Sequence, residues 1–113
     1  FAKVSQEEKQ RWADLIGGYF DQERSFNLVI ALVDIRHEAQ RLDVDMVEFL
    51  RENGLPFVVA LTKADKLSRS KADQQARAIA RQLELEPDQI VVTSSATGTG
   101  VDELRRRIAE ACL

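Results

Sequence analysis

Hydrophobic positions along the chain fall into four stretches of helical spacing separated by three short apolar runs. Trp12, Leu15, Ile16, Tyr19 and Phe20 recur at three- and four-residue intervals behind Ser5 and Glu8, an S-x-x-E capping pattern, and predict an amphipathic helix over 5–22. Leu28 to Val33 (LVIALV) is continuous, short and β-branched, the pattern of a strand covered on both faces. From Leu42 the spacing is helical again, with Met46, Phe49 and Leu50 on one stripe, and Asn53, Gly54 and Pro56 stop it, which predicts a helix over 42–53. Phe57 to Leu61 (FVVAL) predicts a second buried strand. Ala72, Ala76, Ile79, Ala80 and Leu83 predict a helix over 70–84 capped by Ser68 or Ser70. Pro87 opens the turn into a strand at Ile90, Val91 and Val92, and Val101, Leu104, Ile108 and Ala111 stripe a last helix.

This alternation demands an α/β fold with a parallel sheet and crossover helices. With the strands side by side in sequence order, right-handed crossovers put the helices at 42–53 and 70–84 on one face, and the last helix returns over the other. The strand at 28–33 has the apolar character of a central strand, yet no further strand is left to pair with its outer edge. The expectation is a sheet with a part missing, and an apolar border open to self-association.

Composition narrows the class without naming a chemistry. The 113 residues are 44% hydrophobic and 31% charged, with a net charge of −3, as expected of one soluble domain or part of one. Cys112 is alone, so no internal disulfide is possible. No apolar run approaches the ~18 residues of a membrane span and no basic leader precedes a hydrophobic segment, so a cytoplasmic protein without membrane attachment is expected. The slight acidity argues against attachment to nucleic acid by bulk charge. The chain opens at Phe1 rather than Met, so a fragment or a processed form is expected.

In open parallel sheets, ligands bind beyond the carboxyl ends of the strands. The residues following the three strands are Asp34 with Arg36 and His37, then Thr62, Lys63, Ala64 and Asp65, then Thr93, Ser94, Ser95 and Ala96. A carboxylate fixed there can accept two parallel hydrogen bonds from guanine, whose N1–H and exocyclic amine are adjacent donors; adenine has an acceptor at N1 and no such pair. Asp65 is therefore the candidate reader of the base, with Lys63 laying its methylene stem along the purine face while its ammonium holds neighbouring loop oxygens, and Thr62 tying its loop to the third one. In the third loop, small residues let backbone N–H groups approach: the Ser95 amide is the natural donor to guanine O6, beside the small Ala96. Gly98 and Gly100 then permit the turn into the last helix. Taken singly, Asp65 has the ordinary alternative of a turn or cap residue, and it is the pairing of two loops behind two buried strands that makes a site. Arg36 and His37 are expected to anchor their loop. Arg105, Arg106 and Arg107 are consecutive on a helix, cannot share one face, and are expected to be solvated or dipole-complementing rather than an RNA clamp.

Phe1 to Val4 before a helix with Trp12, the Asp34-x-Arg36-His37 phrase, Asp43 leading a helix, Gly54-x-Pro56-Phe57, Thr62-Lys63-Ala64-Asp65 and Ser94-Ser95-x-x-Gly98-x-Gly100 together resemble the EngB (YihA/YsxC) bacterial GTP-binding proteins over the whole chain. Thr62 stands where most GTPases carry Asn, and that Thr is usual in this family. The resemblance implies the carboxyl-terminal portion of a single G domain over 1–113, with a three-stranded parallel part of the P-loop NTPase sheet and four flanking helices. It implies a GTPase binding GTP or GDP with Mg²⁺, acting in assembly of the large ribosomal subunit and linked to cell division and septation. Thr62 to Asp65 match its fourth guanine-nucleotide motif and Thr93 to Ala96 its fifth. The first three motifs have no counterpart, and no G-x-x-x-x-G-K-[ST] phosphate loop occurs in these residues, so the Mg²⁺ ligands lie outside them and the chain alone is expected not to hydrolyse GTP. Two readings of other classes stay open on sequence alone: a non-hydrolysing half-domain interaction module, and an unrelated Rossmann-like binding domain with a chance tetrapeptide.

Overall fold

A computed structural model describes residues 28–112. The helix expected over 5–22 lies outside the described residues. Strand β1 (Val29–Asp34), helix α1 (Arg41–Glu52), strand β2 (Phe57–Thr62), helix α2 (Arg69–Gln82), strand β3 (Ile90–Val92) and helix α3 (Val101–Ala111) follow one another, with short 3-10 turns at Ala64–Lys66 and Pro87–Gln89. The sheet is parallel, as the alternation of elements requires, and its observed order is β1-β2-β3. The register sets Asp34 beside Thr62 and Leu61 beside Val92, so the three strands end on one rim.

Local chemistry fixes the helix ends. The Asp43 carboxylate accepts from the backbone N–H of Gln40 at 2.9 Å and satisfies an orphan donor at the start of α1. At its other end the Leu55 N–H donates to Leu50 O and the Gly54 N–H to Arg51 O, a Schellman closure that needs the left-handed backbone of Gly54 (φ 63°). Of the two serines expected to cap α2, Ser68 does so, accepting from the Lys71 N–H at 3.3 Å.

One parity of the strands, Ala31, Val33, Ile35, Val59 and Leu61, packs against Val47 and Leu50 of α1 and Ala72, Ile79 and Leu83 of α2, which places those two helices on the same face. Val58, Ala60 and Val91, of the other parity, are buried outside that cluster, so β2 is covered on both faces. The continuous apolar run of β1 predicts the same for that strand, and there the structure differs. Leu32 is 66% exposed, Ile108 of α3 is 43% exposed, and among the described residues β1 pairs with β2 alone. The second face of β1 thus carries central-strand residues at a border position, because cover depends on what packs across the sheet and not on the strand's own composition.

Candidate functional site

Thr62 closes β2 and fastens the loop that follows to β1: its hydroxyl donates to Val33 O at 3.4 Å and its carbonyl accepts from the Ile35 N–H at 3.1 Å. This corrects the expectation that Thr62 ties the second loop to the third. That tie is made by the next residues. Lys63 turns the chain with φ 64°, a left-handed conformation uncommon outside glycine, and delivers the Ala64 N–H to Thr93 O at 3.1 Å. Thr93 in turn is buried, and its N–H and hydroxyl both donate to Leu61 O, at 2.7 and 2.9 Å.

Asp65 lies in the 3-10 turn directly after β2, and its side chain meets the serine loop. The buried Ser94 hydroxyl donates to Asp65 Oδ1 at 2.7 Å and accepts from the Thr97 N–H at 3.2 Å. The Ser94 N–H bonds Thr99 O and its carbonyl accepts from Gly98, so 94–99 closes on itself with Gly98 and Gly100 at φ 81° and 75°. The Asp65 side chain remains 20% exposed, with Lys66 Nζ 3.9 Å from Oδ2. The Ser94 hydrogen bond holds the carboxyl below its ordinary range, with a smaller push from Lys66. At neutral pH it is therefore an acceptor-only group with lone pairs to spare beyond the one Ser94 uses. Ser95 and Ala96 are exposed, and among the described residues the Ser95 N–H has no intramolecular acceptor.

All eight residues singled out in the sequence thus sit on one rim, with the second and third loops joined at two points. Two partners were not visible in the sequence. Ser94 orients the carboxylate, and the loop oxygen expected to hold the Lys63 ammonium is Asp34 Oδ2, 3.3 Å away, on a carboxylate that also receives Arg36. Arg36 folds back on Asp34 at 2.8 Å and closes its own loop, the anchoring expected of it. The arginine run on α3 is engaged within the protein: Arg105 faces Asp102, Arg106 bonds Glu103 and Glu110, and Arg107 bonds Glu103 and Asp88 O. Arg106 first, then Arg107, bring the Glu103 carboxyl down to about 2.

The Ser94 bond makes a pH prediction. A donor to the charged form lowers a carboxyl pKa, so Ser94→Ala is expected to move the Asp65 midpoint up toward the ordinary value of about 3.9. The stability this bond adds is present above that value and lost as pH falls through the lowered native one, so the variant has the shallower acid limb. The side-chain carboxyl carbon shift of Asp65, followed against pH, checks this; an unmoved midpoint would show that the bond is not made.

Residues 20–112 match the family described as the elongation factor Tu GTP binding domain. The chain is 38% identical over 104 residues to the probable GTP-binding protein EngB of Bacillus subtilis (strain 168), covering 91% of this chain and 53% of that protein. It is 40% identical over 110 residues to the EngB of Syntrophomonas wolfei, covering 97% of this chain and 56% of that one. The chain spans about half the length of the curated relatives it matches. The fold superposes on the crystal structure of a probable EngB GTP-binding protein with a TM-score of 0.72 at 21% identity, covering 98% of this chain and 70% of that one. It also superposes on GDP-bound aIF5B from Aeropyrum pernix with a TM-score of 0.60 at 20% identity, covering 69% of this chain and 19% of that one. The resemblance carried by the motifs is borne out, and the chain belongs to the elongation factor Tu GTP-binding domain family, with EngB proteins as its relatives.

Proposed function

We propose that this chain supplies the base-reading half of a guanine-nucleotide site, in a protein that hydrolyses GTP. The observation that supports it most is the 2.7 Å bond from Ser94 to Asp65. It holds an ionised carboxylate at the lip of the middle strand and leaves its outer lone pairs free for the N1–H and amine of guanine. The exposed Ser95 N–H in the adjoining loop is the donor for O6, Ala96 leaves room for the base, and the Lys63 stem lies along the purine plane. Ala64, Thr93 and Ser94 hold the two loops together from behind, and Thr62 fastens the first of them to β1. Mg²⁺ at the nucleotide and the hydrolysis itself are proposed for the whole protein from likeness to EngB proteins, with the metal ligands outside these residues. A role in assembly of the large ribosomal subunit and in cell division, in the cytoplasm, is proposed from likeness to EngB proteins alone.

Titration of the chain with GDP and with ADP, followed by backbone amide shifts, tests the reading. GDP is expected to shift Asp65 and Ser95 at concentrations where ADP leaves them unmoved, because adenine offers an acceptor where the site needs donors. Equal responses to the two nucleotides would remove the base-reading role.

A further inference from the structure

Asp34 has more partners than its own turn requires. Its Oδ1 accepts from the Arg36 backbone N–H at 2.9 Å and Nε at 3.1 Å, and Oδ2 accepts from Arg36 Nη2 at 2.8 Å. These bonds already close the turn after β1. The Lys63 ammonium then stands 3.3 Å from the same Oδ2, with Asp34 28% and Lys63 52% exposed. Arg36 above all, and Lys63 after it, hold this carboxyl well below the usual range, so it is charged at neutral pH. Lys63 itself is fixed at its backbone on both sides: Thr62 is fastened to β1 and Ala64 to Thr93, with the lysine left-handed between them. Its side chain therefore runs from the end of β2 toward the end of β1, along the rim that carries Asp65.

The geometry points to Asp34 as a positioning residue of the nucleotide site, whose Oδ2 tethers the Lys63 ammonium so that the lysine stem is a preformed wall for the base. This rests on the guanine reading above. A free lysine has most of its rotamer entropy to lose when it is ordered against a ligand, and a tether that orders it beforehand removes that cost from binding. The pair is exposed, so its contribution is modest and sensitive to salt.

The test is a double-mutant cycle in the chain, with guanosine as the probe so that phosphate charge does not enter. Asp34→Asn keeps an acceptor for the Arg36 N–H and removes the charge. It is expected to weaken guanosine binding about two- to fivefold, and to cost nothing further in a Lys63→Met background. The same loss in both backgrounds, or none in the unmodified chain, overturns the tether. Salt gives a second measurement that holds even if Asp34→Asn does not fold. At ~1 M salt, where the screening length is about 3 Å, guanosine affinity of the unmodified chain is expected to fall toward that of Lys63→Met, which itself changes little. Parallel salt responses overturn the proposal. Asp65→Asn separates the two ideas: if it leaves guanosine affinity unchanged, the base reader is wrong, while coupling between Asp34 and Lys63 upholds the tether independently.

Discussion

Asp65→Asn is expected to weaken GDP by about ten- to a hundredfold and to turn the preference of the site toward XDP. On the proposed reading the carboxylate of the unmodified protein faces two donors of guanine, and each charge-assisted bond of this kind is worth roughly 1.5–3 kcal/mol. An amide in the same place can accept from N1–H, but its NH₂ group meets the exocyclic amine, donor against donor. Xanthine carries a carbonyl at that carbon, which accepts from the amide. The two changes therefore have opposite signs for the two nucleotides, and general damage to the loop cannot mimic that. Ser94 can still donate to the amide oxygen, less strongly than to the carboxylate it bonds at 2.7 Å, so a hydrogen bond to hold the side chain in its orientation remains available. Competition between GDP and XDP is the measurement. A variant that loses both nucleotides equally, or neither, would show that Asp65 does not read the base.

How far this was legible in the sequence depends on the distance over which each feature is decided. Element placement and the Schellman stop at Gly54 follow from spacing and from residues within one turn, and the structure has them where the pattern puts them. The loops behind β2 and β3 were legible because a position just past a buried strand is set by the strand itself. Their internal wiring was not. Ser94 meets Asp65, and Thr62 meets Val33, across 29 residues of sequence in each case, through contacts that exist only once the strands are in register. Thr62 shows how such a reading errs: a hydroxyl at the end of β2 has β1 on one side and β3 on the other, and nothing in its neighbours says which carbonyl it takes. The expectation of two-sided cover for β1 fails for a related reason. Leu32 is as apolar as its neighbours, and its exposure is a property of the second face of the sheet.

The tightest steric constraint on the site lies behind it, at Gly100, and Gly100→Ala is expected to be the most destabilising single change in the serine loop. The backbone there has φ 75°, and a Cβ would stand 2.1 Å from Val92 O and 3.0 Å from Thr93 Cγ2. Neither neighbour can yield. Val92 is paired with Leu61 in the sheet, and Thr93 is bonded to Leu61 O through both its N–H and its hydroxyl. Relief must come from displacing the start of α3 or the end of β3, at a cost of about 3 kcal/mol or more. For a chain of this size each kcal/mol lowers Tm by roughly 4–8 °C, so a fall of at least about 12 °C is expected. Gly98→Ala is the control. It has the same left-handed backbone, φ 81°, but nothing within 4 Å of the added carbon, so only the conformational cost of about 1–2 kcal/mol applies. Thermal melts of the two variants by circular dichroism decide the matter, and melting temperatures within a few degrees of each other would refute the close approach. The same contact bears on function. Thr99, immediately before Gly100, supplies the carbonyl that holds the Ser94 N–H, and Ser94 holds Asp65. A shift at Gly100 therefore reaches the Asp65 carboxylate through two hydrogen bonds, and on the proposed reading Gly100→Ala should weaken GDP even below its lowered melting temperature, whereas Gly98→Ala should not.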